Sequence, residues 1–174
     1  MNTIEFFEAY RAENPSAITI GTFDGVHVGH KKIIENLIEK SEGLSTTLLT
    51  FFPHPRMVLQ KDSGIKLINT IEERRAILEN LGLDYLLIKK FTKAFSRLSA
   101  EAFVKQILVD KLNAKKVIIG YDHRFGRNRN ADINDLKLFG DKYGFEVEEI
   151  SAQDLNDVSV SSTKIRKALS EGDI

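Results

Sequence analysis

Residues 17–30 read Ala17-Ile18-Thr19-Ile20-Gly21-Thr22-Phe23-Asp24-Gly25-Val26-His27-Val28-Gly29-His30. The first four predict a buried strand because they form a short run of small, apolar and β-branched residues. After the stretch, apolar residues recur at helical spacing, namely Ile33, Ile34, Leu37 and Ile38. The glycines between predict a sharp turn from strand into helix. Such a turn favours an anion, since the first N–H groups of a helix are free and the helix dipole is positive there.

His27 and His30 add side-chain donors to this turn. Imidazoles three residues apart can face one phosphate, and their hydrogen bonds strengthen as charge builds up on its oxygens. A bare HxxH pair more often caps a helix or packs at the surface. A metal site is a weaker alternative, because the chain has no cysteine and its other histidines, His54 and His123, lie in different segments. Since Gly29 allows a ligand close to the backbone, phosphate binding is the better interpretation.

The charge balance argues against a nucleic-acid or membrane partner. Among 174 residues, Lys and Arg total 25 and so do Asp and Glu, which leaves no overall positive field. No apolar run approaches the roughly 20 residues that span a bilayer. The first eight residues lack the pattern of a secretion signal, and there is no P-loop motif. We therefore expect a soluble, cytoplasmic protein in which any basic site is local.

Further strands are predicted at 46–51, 85–88, 117–120 and 145–150, the last at an edge of the sheet. Helices are predicted to begin after Thr70, Ser99, Asp132 and either Ser161 or Ser162. Alternating strands and helices predict an α/β fold, doubly wound around a mainly parallel sheet. Ligands of such folds bind at the carboxyl ends of the strands. Four segments fall there: 21–30, 53–55, 120–129 and the turn at Ser161.

Two of these segments carry clustered cations. In Ser161-Ser162-Thr163-Lys164-Ile165-Arg166 a lysine and an arginine follow a helix start, where they oppose the dipole unless an anion lies between. In the other, 122–129, three arginines surround Phe125. Taken alone, the first is compatible with an ordinary cap and the second with a surface hairpin or a basic patch.

The combination of these segments resembles the bacterial FAD synthetase family. The stretch 21–30 is similar to its GxFDGxHxGH motif, and the likeness continues through 50–55, 91–99, 120–129 and 161–166. HxGH alone indicates the nucleotidylyltransferase superfamily, whereas its combination with the PHP turn and the RFGxxR loop is specific to the flavin branch. The resemblance implies a Rossmann-like nucleotidylyltransferase fold. Family members commonly have an aromatic residue in place of His123 and glycine in place of Ala131, so the shape of that loop can differ here.

The resemblance also implies a reaction, in which ATP and FMN give FAD and pyrophosphate with Mg²⁺ accompanying ATP. The implied catalytic residues are His27, His30 and Arg166. The implied ATP-binding residues are Gly21, Phe23, Asp24, Gly29, Ser161, Ser162, Thr163 and Lys164, with the alternative that Asp24 only braces its turn. The implied FMN-binding residues are Pro53, His54, Pro55, Asp122, Phe125 and Arg129, the last on the FMN phosphate. Metal ligands remain unassigned.

We expect residues 1–174 to form one FMN adenylyltransferase domain, without the riboflavin kinase domain that full-length relatives carry. Two alternatives stay open: an HxGH nucleotidylyltransferase with another acceptor or with CTP, and a non-catalytic module that binds flavin nucleotides. Pyrophosphate release that depends on both ATP and FMN would distinguish the expected enzyme from a binding module.

Overall fold

The computed structural model describes residues 1–60, 64–151 and 160–173. Its strands are β1 (Asn2–Ile4), β2 (Ser16–Ile20), β3 (Ser45–Phe52), β4 (Tyr85–Lys90), β5 (Ala114–Gly120) and β6 (Glu146–Ile150). Its helices are α1 (Val28–Glu39), α2 (Pro55–Leu59), α3 (Ile71–Glu79), α4 (Ala100–Phe103), α5 (Ile133–Tyr143) and α6 (Ser162–Glu171). A π-helical segment, Val104–Val109, continues α4, and 3₁₀ turns occur at Phe95–Arg97 and Arg127–Arg129.

The strands form one sheet in the order β1-β4-β3-β2-β5-β6, and every pairing between neighbouring strands is parallel. Side chains alternate between the two faces, so that Ile18 and Leu49 join one buried cluster while Ala17 and Leu48 join the other. One cluster includes residues of α4, its π-helical continuation and α5, and the other includes residues of α1 and α3. Helices therefore cover both faces, and the predicted doubly wound α/β fold is confirmed.

The direction of winding reverses at β2. From β2 the chain proceeds to β3 and β4 on one side, and then returns to β5 on the other side of β2. Connections leave β2 and β5 in opposite directions, which opens a crevice beyond their carboxyl ends. The turn into α1 follows β2, and the loop 121–131 follows β5. The turn into α1 and the loop 121–131 therefore both border the switch point.

The predicted helix boundaries are confirmed at several caps. Thr70 and Glu73 form a capping box, Ser99 and Asp132 cap α4 and α5, and Gly144 ends α5 in the left-handed conformation. The elements that were not predicted are the edge strand β1, the short helix α2, the π-helical segment and the two 3₁₀ turns. In α2 Pro55 occupies the first turn, where a missing N–H costs nothing, so this proline starts a helix as well as following a strand. Among the described residues no helix is both long and apolar enough to cross a membrane.

Candidate active site

The two histidines meet at the start of α1. His27 is the N-cap, and its Nδ1 accepts a hydrogen bond from the backbone N–H of His30 at 3.4 Å. The rings stack with centroids 3.7 Å apart and an interplanar angle of 19°. Because Nδ1 of His27 is an acceptor, the proton of its neutral imidazole lies on Nε2. His27 therefore presents an N–H donor beside the free amides of the helix.

Both imidazoles are neutral at pH 7. Burial lowers the pKa of His27. Burial and the effects of His27 and Arg74, only partly offset by Asp24, lower the pKa of His30 to about 3. Nδ1 of His30 is buried and has no hydrogen-bond partner among the described residues. An arriving phosphate would raise both pKa values, since an anion favours the charged form of an imidazole.

The turn ahead of α1 has a constrained backbone. Phe23, Gly25 and Val26 have positive φ values of 49°, 84° and 36°, and a Cβ on Gly25 would come within 2.8 Å of Cδ1 of Ile68. Phe23 is 3% exposed and its ring contacts His30, so only its backbone can reach a nucleotide. Gly29 is buried within α1, and Gly21 is half-buried at the end of β2.

Asp24 is fully buried and bonded from several sides. Arg74 Nη2 donates to its Oδ1 at 3.0 Å, Arg166 Nη2 donates to its Oδ2 at 2.5 Å, and the Ile68 N–H donates to both oxygens at 3.1 and 3.2 Å. Burial alone would raise the pKa of Asp24, but the hydrogen bonds from Arg166 and Ile68 and the charge of Arg74 hold it below its usual value. These contacts favour the alternative in which its carboxylate braces the turn.

The start of α6 lies against the same turn. Ser161 caps the helix by accepting from the Lys164 N–H at 3.2 Å, and the Ser162 hydroxyl donates to the Asp24 carbonyl at 2.8 Å. Arg166 also donates from Nε to the Lys66 carbonyl at 3.0 Å. Thr163 and Lys164 are exposed in the first turn. Two helix N-termini from opposite ends of the chain are thus joined through Asp24.

The PHP turn carries the third histidine. His54 caps α2 by accepting from the Arg56 N–H at 3.1 Å, between the half-buried Pro53 and Pro55. Burial and the positive charges of Arg166, Arg56 and Arg74, against the opposing effect of Asp24, lower its pKa to about 4. The charges of Asp24, Arg74 and Arg166 therefore act on His54.

The loop after β5 is anchored by Phe125. Its backbone forms an antiparallel bridge with Ala131, and its ring, 7% exposed, packs against Phe103 and His123. Gly126 has a φ of 74°, and a Cβ there would come within 2.8 Å of the Ala100 Cα. The buried ring gives Phe125 a supporting position in the core. Asp122 and Arg129 are exposed on this loop.

A row of aromatic rings joins the end of β3 to this loop. Ring contacts run from Phe51 to Phe91 and Phe95, and from Phe95 through Phe103 to Phe125, with centroids 5.7 to 6.1 Å apart. Phe51, Phe91 and Phe95 are half-buried. The row therefore forms an apolar layer beside the PHP turn.

Two side chains that the sequence analysis did not single out hold the site together. Arg74 donates to Asp24, to the Thr22 carbonyl and to Asn69, whose Oδ1 also accepts from the Gly25 N–H. The signal available in the sequence is that Arg74 precedes the buried Leu78 by four residues and so occupies the inner face of α3.

His123 provides a test of the loop. Its Nε2 is buried without a partner among the described residues, and burial lowers its pKa to about 4. We expect His123→Phe to raise the free energy of unfolding by about 1 kcal/mol at pH 7, since a buried unsatisfied group is removed. The gain should grow from pH 6.5 towards pH 4, because unfolded His123 takes up a proton there and folded His123 does not.

Urea unfolding at pH 7 and pH 5 measures this difference, with Tyr121→Phe as the control because Tyr121 is 50% exposed. The loss of stability in acid that remains in the variant would come from His27, His30 and His54, whose pKa values are also lowered. Equal or lower stability of His123→Phe at both pH values would contradict the assignment.

The fold defines the class, a Rossmann-like nucleotidylyltransferase fold. A Streptococcus pneumoniae structure described as a macrolide-efflux protein superimposes with a TM-score of 0.79 at 26% identity, covering 96% of this chain and 55% of the other. Pantothenate synthetase from Thermus thermophilus shares the fold at a TM-score of 0.57 and 14% identity, covering 97% of this chain and 71% of its own.

The chain belongs to the FAD synthetase family, whose model matches residues 10–164. A bifunctional riboflavin kinase/FMN adenylyltransferase from Buchnera aphidicola subsp. Schizaphis graminum is 44% identical over 91% of this chain and 52% of the relative. The protein of the same description from Escherichia coli K12 is 32% identical over 90% of this chain and 51% of the relative. The predicted family and enzyme class, a nucleotidyltransferase, are confirmed. The chain spans about half the length of these curated relatives.

Proposed function

We propose that this chain is an FMN adenylyltransferase, which transfers AMP from ATP to the phosphate of FMN and releases pyrophosphate. The observation that carries the proposal is the junction at Asp24, where the start of α1 with its two histidines meets the start of α6 with Arg166. Two positive helix ends and a guanidinium at one place suit a triphosphate. The acceptor, FMN, is proposed from the activity named for the relatives.

The chemistry asks little of the protein beyond alignment and charge stabilisation. The second pKa of a phosphate monoester lies near 6, so the FMN phosphate is mostly a dianion at pH 7 and already a nucleophile. It attacks the α-phosphorus in line, a new O–P bond forms, and the bond to the β-phosphate oxygen breaks. In this proposal His27 and His30 stabilise the oxygens of the transferring phosphate, and Arg166 holds the leaving pyrophosphate.

Mg²⁺ enters this proposal with ATP, as part of the substrate. The described residues contain no group of three or more histidine, cysteine, aspartate or glutamate side chains that could hold a metal, and the Asp24 carboxylate is already paired with two arginines. Mg²⁺ is commonly held by substrate phosphates and water. We therefore propose that the phosphates and water supply most of its ligands.

The acceptor side is proposed to lie between the PHP turn and the loop after β5. The aromatic row supports a flavin ring there, because its half-buried members offer apolar surface. Pro53, His54 and Pro55 would border the ring, with Phe125 supporting the loop from the core. Exposed Arg129 would meet the phosphate end of FMN, where an arginine can bind two oxygens, and exposed Asp122 of the same loop would border FMN.

We propose that the partners of this chain are the small molecules ATP and FMN and that it acts in the cytoplasm. Its 25 basic and 25 acidic residues leave no overall positive field, which supports the absence of a nucleic-acid or membrane partner.

Mixing the purified chain with ATP, FMN and Mg²⁺ tests the proposal. We expect FAD by chromatography and an equal amount of pyrophosphate, dependent on both substrates. Flavin binding without pyrophosphate release would support the binding module instead. Pyrophosphate release with CTP, or with a different phosphate acceptor, would support another nucleotidylyltransferase.

Arg129→Ala should raise the KM for FMN more than the KM for ATP, because Arg129 is proposed on the acceptor phosphate. Arg127→Ala is the matched control, since Arg127 is an equally exposed arginine of the same loop. Steady-state kinetics with each substrate varied in turn give both constants. An equal or larger effect of Arg129→Ala on ATP would refute this placement.

A further inference from the structure

Arg74 is a charged side chain held almost entirely out of water, with 2% of its surface exposed. Its Nη1 donates to the Thr22 carbonyl at 2.7 Å, its Nη2 to Asp24 at 3.0 Å and its Nε to Asn69 at 3.2 Å. A buried guanidinium is stable only when its donors are paired. Thr22 and Asp24 belong to the turn before α1, and Asn69 is bonded to it, so Arg74 serves the geometry of that turn.

Asp24 divides its two oxygens between two arginines of different exposure. Arg74 binds Oδ1 from the interior, whereas Arg166 binds Oδ2 and retains 17% of its side-chain surface exposed. One carboxylate balances one guanidinium, so the cluster of three side chains carries one surplus positive charge. The surplus faces the open side, at the start of α6, where the proposed function places the triphosphate.

We propose that Arg74 is a positioning residue that keeps Asp24 neutralised, so that Arg166 can pass from Asp24 to the triphosphate of ATP. Without Arg74, Arg166 would be the sole arginine paired with a fully buried carboxylate, and its transfer to a phosphate would leave that buried charge without a cation. With Arg74 in place, Asp24 keeps one guanidinium and the Ile68 N–H throughout. This inference rests on the proposed function for the identity of the nucleotide.

The test separates the charge of Arg74 from its hydrogen bonds. We expect Arg74→Gln to raise the KM for ATP and the Kd for Mg–ATP at least about tenfold, while the KM for FMN stays within about threefold. Arg74→Lys keeps the charge and should hold both ATP constants within about threefold of the parent, although loss of the multiple hydrogen bonds lowers its melting temperature. If the role of Arg74 were purely structural, the KM for ATP and the Kd for Mg–ATP would rise in each variant in step with its loss of melting temperature.

Arg75→Gln is the matched control, because Arg75 is the next residue of α3 and its side chain is 51% exposed in a loose pair with Glu5. It should leave both ATP constants unchanged. The double variant Asp24→Asn with Arg74→Gln removes the buried carboxylate together with its partner. In the Asp24→Asn background, the increase in the KM for ATP and the Kd for Mg–ATP that Arg74→Gln causes should be at least about threefold smaller, because no buried charge is left without a partner.

Calorimetric binding of Mg–ATP keeps this inference distinct from the proposed function. A parent chain that binds Mg–ATP but forms no FAD contradicts the function, and the binding constants of the variants still decide the role of Arg74. Two results would overturn the inference alone in a parent chain that forms FAD. One is that the KM for ATP and the Kd for Mg–ATP are equal in Arg74→Gln and Arg74→Lys. The other is that the effects of Asp24→Asn and Arg74→Gln on these constants are additive in the double variant. Loss of folding in all the Arg74 variants also overturns it, because Arg74 would then be purely structural.

Discussion

Replacing His30 with alanine should lower kcat for FAD formation by roughly 10²–10³, and His27→Ala should have a similar effect. The rings stack 3.7 Å apart at the start of α1, so both imidazoles lie at the same end of that helix. Burial keeps both imidazoles neutral, which leaves the N–H of each to strengthen its bond as charge develops on the transferring phosphate. The KM for FMN should change much less, because the flavin is proposed to bind between the PHP turn and the loop after β5 and not on these two histidines.

Steady-state kinetics with both substrates varied measure these effects. Lys32→Ala is the control, since Lys32 is exposed on the same helix two residues beyond His30. His27→Gln should recover part of the rate, because its amide N–H can replace the Nε2 donor while Nδ1 of His27 only caps the helix. Full activity in either alanine variant, or a loss confined to the KM for FMN, would remove the histidines from the chemistry.

The sequence predicted those features that depend on neighbouring residues. Periodicity indicated the strands that flank the switch point, and the capping residues Thr70, Ser99 and Asp132 marked helix starts that the structure confirms. These features are local, since a cap and its partner lie within three residues. The strand order follows from the same pattern only through general rules of winding.

The electrostatic core of the site could not be predicted in this way. Arg74 and Arg166 lie 50 and 142 residues from the Asp24 carboxylate that they share, and periodicity carries no information at that separation. Likewise, an arginine-rich loop gives no sign that Phe125 between its cations turns into the core. Contacts between distant parts of the chain decide both outcomes. A buried charge, for example, needs a partner wherever the chain supplies one.

With riboflavin in place of FMN, this chain should form neither FMN nor FAD. A kinase transfers the γ-phosphoryl group to a hydroxyl that still carries its proton, so it needs a base near that hydroxyl. At this site the carboxylate of Asp24 is held by two arginines, and Nδ1 of His27 is occupied by a backbone N–H. The donors and helix ends here suit attack at the α-phosphorus by a phosphate that is already ionised.

Parallel chromatograms of ATP with riboflavin and ATP with FMN measure the difference, and the bifunctional relative from Escherichia coli serves as the positive control for riboflavin phosphorylation. FAD should form only in the mixture of ATP with FMN. Because His27→Ala acts on the α-phosphate step, it should abolish most of that FAD without producing FMN from riboflavin. Appreciable FMN formed from riboflavin by the purified chain would mean that the site also activates a hydroxyl, and the roles given to His27, His30 and Asp24 would then be wrong.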